Sequence, residues 1–423
     1  MKRSTGAIKN GTVAALDVGS SKICCFIAHI DGKQDPRVIG IGQQASKGMK
    51  SGNIVDIEAL EDAIVNAVHS AEQMAGETIE RVIVNVSGGQ PRSHRLNLEI
   101  AVAGHAVTDQ DLHHAINHAN QIKGPTIEDE SGRDILHSIF TGYTLDGNRG
   151  IRDPRGMHGE RLGVNMHLIT SALNTRRNLI SCINRCHLEL SAFALSGYAS
   201  GLATLVDDEM ELGVTLIDMG GTTTSIAVFC EGHLVHSDVI PVGGQHVTND
   251  VARGLSTPVA EAERMKTLYG HAIAAEADDR NFIDVPQVGE EEPGQSHQVP
   301  HSLLVGIIQP RIEETLELVR DRLVSSGFDK VGGRRVVLTG GASQLPGLPD
   351  LAGHILNTQV RIGKPIRVTG LADATGGPNF ATCAGLLTYT TLVDTDVPIE
   401  KTPEVTHPQS LFGKIGHWFR ENF

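Results

Sequence analysis

Leu16-Asp17-Val18-Gly19-Ser20-Ser21 and Ile217-Asp218-Met219-Gly220-Gly221-Thr222 read alike: apolar, Asp, apolar, Gly, small, Ser or Thr. The two stretches are too far apart for a solenoid repeat and fit two similar domains facing each other. Each ends a short buried strand, over 13–18 and 212–218, and opens onto another, over 22–29 and 225–230. Glycines let backbone N–H groups approach an anion, and Ser and Thr hydroxyls add donors. Successive N–H groups in such a turn form a concave nest for phosphate. An Asp at the strand end is placed to hold a Mg²⁺-bound water, since Mg²⁺ keeps several waters and takes few direct carboxylates. One such turn is weak evidence, because a plain hairpin reads the same. Two matching turns are much stronger, and a third piece joins them: the buried strand from Val336 that enters Gly340-Gly341-Ala342-Ser343. No G-x-x-x-x-G-K-[ST] occurs, so this is not a P-loop protein. Gly40-Ile41-Gly42 fails the dinucleotide fingerprint because position 45 is Ala.

Outward from these turns, strands alternate with helices. Residues 57–74 carry Leu60, Ile64, Ala67, Val68 and Ala71 at helical spacing and stop at Gly76. A buried strand follows over 81–86, and the class is α/β. Residues 90–164 break the pattern, with a short helix around 109–119, strand-like runs and a Gly- and Arg-rich loop over 146–160. They read as an inserted α+β module. The alternation resumes with a strand over 166–170, a helix from Thr175, a strand over 190–195 and a helix from Ala199. A further strand is expected over 233–242 and a mobile acidic loop over 284–300. Pro398, Pro403 and Pro408 mark 393–409 as a linker.

Composition excludes several functions. With 36 basic against 50 acidic residues the net charge is −14, which argues against a nucleic-acid partner. No run approaches the length of a membrane span. Met1-Lys2-Arg3 has no apolar region after it, so no secretory signal is expected. Cys24, Cys25, Cys182, Cys186, Cys230 and Cys383 lack scaffold spacing and fit a reducing compartment. His114 and His118 stand one helical turn apart without a Glu to complete H-E-x-x-H, and read as structural. Cys182 and Cys186 beside His187 read as buried small hydrophobes.

Residues 410–423 form a different kind of unit. On a helical wheel Leu411, Phe412, Ile415, Trp418, Phe419 and Phe423 fall in an arc of roughly 140°. Lys414, His417, Arg420 and Glu421 lie outside it. A helix of this length is about 21 Å long, too short to cross a bilayer but able to lie in its interface. Docking on the protein's own core is the alternative. The Pro-bearing linker, and an aromatic cluster that includes the single Trp, weigh against it. One such helix binds weakly, and many on a polymer bind by avidity.

The three turns resemble the phosphate-1, phosphate-2 and adenosine motifs of the actin/Hsp70/sugar-kinase ATPase superfamily. Within it the chain resembles the FtsA family, bacterial cell-division proteins that tether FtsZ filaments to the membrane. The resemblance covers nearly the whole chain. Ala262 to Gly270 is similar to that family's A-E-x-x-K-x-x-Y-G segment, Ala381 to Leu386 to the second connecting helix, and Leu195 to Gly201 to the first connecting helix of actins. The resemblance implies an actin-like two-domain fold of duplicated ribonuclease-H-like halves, with the insert and a C-terminal amphipathic helix.

Its subdomains are expected at 11–90 (1A, completed by 165–205 and 375–392), 91–164 (the inserted 1C), 206–252 (2A, completed by 330–374) and 253–329 (2B). The linker at 393–409 and the helix at 410–423 follow. It implies ATP and Mg²⁺ as ligands. Gly19, Ser20, Ser21 and Lys22 would cradle the terminal phosphates from one side, and Gly220, Gly221, Thr222 and Thr223 from the other. Glu263 and Lys266 would approach ribose and adenine, and Gly340, Gly341 and Ser343 would pass under the adenosine. Asp17 and Asp218 would orient Mg²⁺ waters.

Expected partners are the FtsZ C-terminal peptide at subdomain 2B, with Arg311 a candidate contact or else part of a solvated helix face. Others are further copies of the chain, other division proteins at the insert, and an anionic or neutral bilayer. The expected location is the cytoplasmic side of the inner membrane at the septum. One departure bears on turnover. Actins carry a water-positioning Gln four residues before the serine of the first connecting helix, where this chain has Ala192. Strong nucleotide binding with slow or absent hydrolysis is expected. Two other readings stay open: a small-molecule, sugar-type kinase with Asp218 as base, and a pilus-assembly or shape-determining actin relative.

Overall fold

The computed structural model describes residues 11–31, 34–128, 132–275, 278–289, 296–333 and 335–392. The expected linker and terminal helix lie outside them.

β1 (Gly11–Val18) turns at Gly19–Ser21 and returns as β2 (Lys22–Ile30), which β3 (Arg37–Ala45) joins antiparallel. A ribbon of β4 (Met49–Lys50) and β5 (Asn53–Ile54) leads to α1 (Ile57–Ala75). That helix starts where the Asp56 carboxylate accepts the amides of Glu58 and Ala59, each at 3.1 Å. It stops at Gly76, whose φ of 71° suits a residue without Cβ. Its apolar face lies on β3 so closely that a Cβ on Gly42 would sit 1.7 Å from the Ala67 carbonyl oxygen. The Gly40-x-Gly42 pair is thus a packing device. β6 (Arg81–Val86) runs parallel to β1.

The insert comprises β7 (Arg92–Ala101), α2 (Asp109–Glu128), β8 (Arg133–Leu145), β9 (Asn148–Ile151) and β10 (Arg161–Ala172). Its antiparallel sheet is ordered β7-β10-β8-β9 over a small core that includes Leu145, Leu162, Val164, Met166 and Leu168. Three expectations need correction here. The helix runs on to Glu128, and the 146–160 loop contains a strand. The strand expected over 166–170 in the resumed α/β pattern is the second half of β10, so a module boundary at 164 cuts a continuous strand. β10 pairs with β7 without interruption from Arg161↔Ala101 to Thr170↔Arg92. Gly163 and Asn165 flank that boundary, but the β7 ladder runs straight through both.

α3 (Leu173–Arg185), β11 (Glu189–Leu195) parallel to β6, α4 (Ser196–Thr204) and α5 (Asp207–Leu212) follow. The second half then repeats the first. β12 (Val214–Met219), β13 (Thr224–Cys230) and β14 (His233–Ile240) form an antiparallel meander. α6 (Gly244–Gly254) and α7 (Val259–Tyr269) come next, then β15 (Phe282–Pro286), β16 (Ser296–Pro300) and α8 (His301–Ser326). β17 (Arg335–Thr339), α9 (Leu348–Leu356), β18 (Gln359–Ile362) and α10 (Ala381–Leu392) complete it. Both ends of the expected mobile loop over 284–300 are strand: residues 284–286 belong to β15 and 296–300 to β16. Their register runs from Phe282↔Pro300 to Pro286↔Ser296, with Ile283 and Val285 turned inward.

The two main sheets share one topology, β3-β2-β1-β6-β11 and β14-β13-β12-β17-β18. β1 and β12 occupy the same central place, so the repeated hexapeptides are a structural repeat. α4 and α10 cross between the halves, α10 on the first sheet and α4 on the second. A Cβ on Gly385 would lie 1.7 Å from the Ala199 carbonyl oxygen, so the helices meet backbone to backbone.

Candidate nucleotide site

Both hexapeptide turns close the same way. The Gly19 amide donates to the Lys22 carbonyl at 3.1 Å, and the Gly220 amide to the Thr223 carbonyl at 2.9 Å. The turns face each other across a cleft of about 570 Å³. Thr222 Oγ1 donates to Ser20 Oγ across it at 2.7 Å. The cleft is lined by Asp17, Gly19, Ser20, Ser21, Lys22, Asp218, Gly220, Gly221 and Thr223, together with Glu263, Lys266, Gly340 and Gly341. All of these are residues that the sequence motifs single out. Two expected residues act differently. Thr222 bridges the turns, and Ser343 is buried with its hydroxyl donating to the Gly340 carbonyl at 2.8 Å, so it shapes the Gly340–Gly341 turn from behind.

Charge in the cleft is held in check by burial. Asp17 and Asp218 are each only 7% exposed. Desolvation pushes the Asp17 carboxyl up to about 7, against the lowering pull of Lys22, and the neighbouring Asp218 adds to the rise. Asp218 is also raised, again chiefly by desolvation, with hydroxyl bonds from Ser200 and Thr382 and the Lys22 charge opposing. The Lys22 ammonium has no hydrogen-bond partner among the described residues and stands 3.5 Å from the Phe380 ring centre. Two buried carboxylates suit a hard divalent cation held through water. One unpartnered ammonium and two glycine turns suit phosphate.

At the far end Lys266 Nζ donates to Glu263 at 2.6 Å, to Thr248 Oγ1 at 2.8 Å and to the Gly244 carbonyl at 3.2 Å. Gly244 and Gln245, at the start of α6, are anchored by their amides to the Gly220 and Gly221 carbonyls. This brings a helix N-terminus to the Gly220–Gly221 turn. Asn85 escaped sequence reasoning. Its side chain donates to Asp17 Oδ1 at 2.8 Å and to Ser196 Oγ at 3.1 Å, and accepts the Val18 amide at 2.6 Å. An Asn inside Val82-Ile83-Val84-Asn85-Val86 was the available signal. Ser196, Ser200 and Thr382 were missed too, because small hydroxyls on a buried helix look like packing residues.

Arg311 does not line the cleft. It is bound by Asp250 and Glu314. Ala192 sits at a register irregularity of β11 and does not line the cleft either. Among the described residues no group of three His, Cys, Asp or Glu is arranged to hold a metal, and no helix is long and apolar enough to cross a membrane.

Residues 215–385 match the family model "Cell division protein FtsA", and residues 88–170 match "SHS2 domain inserted in FTSA". A cell division protein FtsA of Agrobacterium fabrum (strain C58) is 45% identical over 97% of this chain and 95% of its own length. The chain belongs to the FtsA family. This FtsA-family chain also has the actin-like fold. A solved PilM-PilN type IV pilus biogenesis complex covers 91% of it with a TM-score of 0.62 at 14% identity. MreB5 of Spiroplasma citri bound to ADP covers 92% with a TM-score of 0.55 at 14% identity. Those two likenesses are of fold alone. Within the FtsA family the insert has its own model, whose upper bound at 170 falls near the end of β10.

Proposed function

We propose that the chain binds ATP with Mg²⁺ in this cleft and uses the nucleotide as a conformational ligand that promotes polymerisation. In the same reading the terminal helix holds FtsZ filaments on the cytoplasmic face of the inner membrane at the division septum. The observation that carries it is the pair of equivalent glycine turns facing each other with Asp17, Asp218 and Lys22 between them. Family membership adds cell division. The solved MreB5 structures of like fold, bound to ADP or AMPPNP, support a nucleotide as the ligand.

Gly19, Ser20, Ser21 and Lys22 take the terminal phosphates with Gly220, Gly221 and Thr223. Asp17 and Asp218 hold Mg²⁺ waters. Glu263 and Lys266 face the ribose and adenine. Mg²⁺ would supply neutralisation of phosphate charge. Hydrolysis is slow or absent, because the position of the actin Gln is Ala192 and lies off the cleft. Residues 253–329 receive the FtsZ C-terminal peptide. Any carboxylate that peptide offered to Arg311 would compete with Asp250 and Glu314. The insert recruits later division proteins, and Leu411, Phe412, Ile415, Trp418, Phe419 and Phe423 enter the bilayer interface. The kinase reading draws no support from Asp218, whose Oδ2 already accepts two hydroxyls.

Vesicle titration read by Trp418 fluorescence, with and without ATP, tests this function. A blue shift on lipid that strengthens with ATP is expected. A spectrum already blue without lipid and unchanged by it would mean a helix docked on its own domain.

A further inference from the structure

Asp17 and Asp218 come from different halves of the molecule, yet the groups that hold them meet on one helix. Ser196 opens α4 and accepts from Asn85 Nδ2 at 3.1 Å, and the same Nδ2 donates to Asp17 Oδ1. One turn later Ser200 Oγ donates to Asp218 Oδ2 at 2.6 Å. Thr382, on α10, donates to the same oxygen at 3.2 Å and lies 2.9 Å from Ser200 Oγ. Ser196 and Ser200 are buried, at 4% and 0% exposure.

All of these holding groups are uncharged. A hydroxyl or amide donor fixes the rotamer of a carboxylate without neutralising it. A Lys or Arg in the same place would fix the rotamer and cancel the charge. The cation facing both carboxylates is Lys22. Helical geometry puts residues i and i+4 about 6 Å apart along one face. A single turn of α4 therefore sets the spacing of two carboxylates that belong to separate sheets.

We propose that Ser200 and Thr382, with Ser196 acting through Asn85, are positioning residues that set Asp218 and Asp17 for one Mg²⁺–nucleotide. The proposal rests on the nucleotide reading of the cleft. It predicts a specific loss: these residues serve the share of nucleotide affinity that comes from the metal.

The experiment measures ATP affinity of the full chain by calorimetry, once in Mg²⁺ and once in EDTA. The ratio of the two is the magnesium gain. In Ser200→Ala and Thr382→Val that gain falls about tenfold or more, the scale of a lost hydrogen bond to a charged group. Thr382→Ser, which keeps the hydroxyl, restores it. Equal losses in both buffers would mark a merely structural role and overturn the proposal, as would an undiminished gain. Should Ser200→Ala fail to fold, the half-buried Thr382 pair decides alone. A parent chain that binds ATP with no magnesium gain also overturns the proposal but leaves the nucleotide reading standing. A parent chain that binds ATP in neither buffer overturns the nucleotide reading itself.

Discussion

At the scale of single residues, the turn after β17 depends on one backbone conformation. Gly340 has φ 85° and ψ 167°, a region that is essentially glycine's own. A Cβ there would lie 2.3 Å from Asp218 Oδ1 and 2.5 Å from the Met219 carbonyl. Gly340→Ala should therefore displace Asp218 and cost about 1–3 kcal/mol of strain. The expected outcome is at least a tenfold loss of ATP affinity in a direct binding measurement. Gly340 was legible in the sequence because Gly-Gly after a buried strand announces a turn. Asn85 was not. A lone amide in an apolar strand signals a partner but does not say which one, and its partners Asp17 and Ser196 are far away in the chain.

Elements show the same divide. Helix α1 was readable from apolar spacing and a terminal glycine, since both signals are local. The β15–β16 hairpin was not, because the inward pair Ile283 and Val285 is short and sits among acidic and Pro residues. The continuity of β10 was also invisible, because Gly163 and Asn165 interrupt its apolar residues and only the pairing partner tells which sheet it joins. Glycines inside elements divide by what surrounds them. Gly42 is pressed against α1, whereas a Cβ on Gly306, inside α8, would meet nothing within 4 Å. Gly306→Ala should stabilise the protein by about 0.5–1 kcal/mol, because alanine is the better helix former. Gly42→Ala should destabilise it by more than that. Urea unfolding of the two variants checks both signs.

Across the whole molecule, the repeated hexapeptide made the duplication legible, since it sits at the centre of both sheets. How the insert docks was not, because the contacts are single polar atoms from distant strands. His167 on β10 lies 2.8 Å from the Leu234 carbonyl of β14 through Nδ1, which must therefore carry the proton. Its Nε2 lies 2.9 Å from Ser93 Oγ, and Ser93 in turn accepts the Ser237 amide. Burial pushes His167 down to about 3. An unfolded histidine titrates near 6.5, so below that pH the unfolded chain takes a proton that the folded chain refuses. This contribution is whole above about 6.5 and is lost as pH falls toward 3, with a slope of up to about 1.4 kcal/mol per pH unit. His233 and His236 on β14 are lowered by burial as well and add in the same direction. Urea midpoints measured from pH 7.5 to 5 should fall accordingly, and His167→Gln should flatten part of that fall.

The insert is joined by its chain to the first half but fastened by Ser93 and His167 to the edge strand of the second. It thus works as a lever laid across the joint. His137 on β8 accepts the Leu195 amide at 2.9 Å, just where α4 begins, so the fulcrum is the crossing of the two connecting helices. If a protein that grips the insert binds one opening of the cleft more tightly than another, and the nucleotide does too, each alters the other's affinity by the same factor.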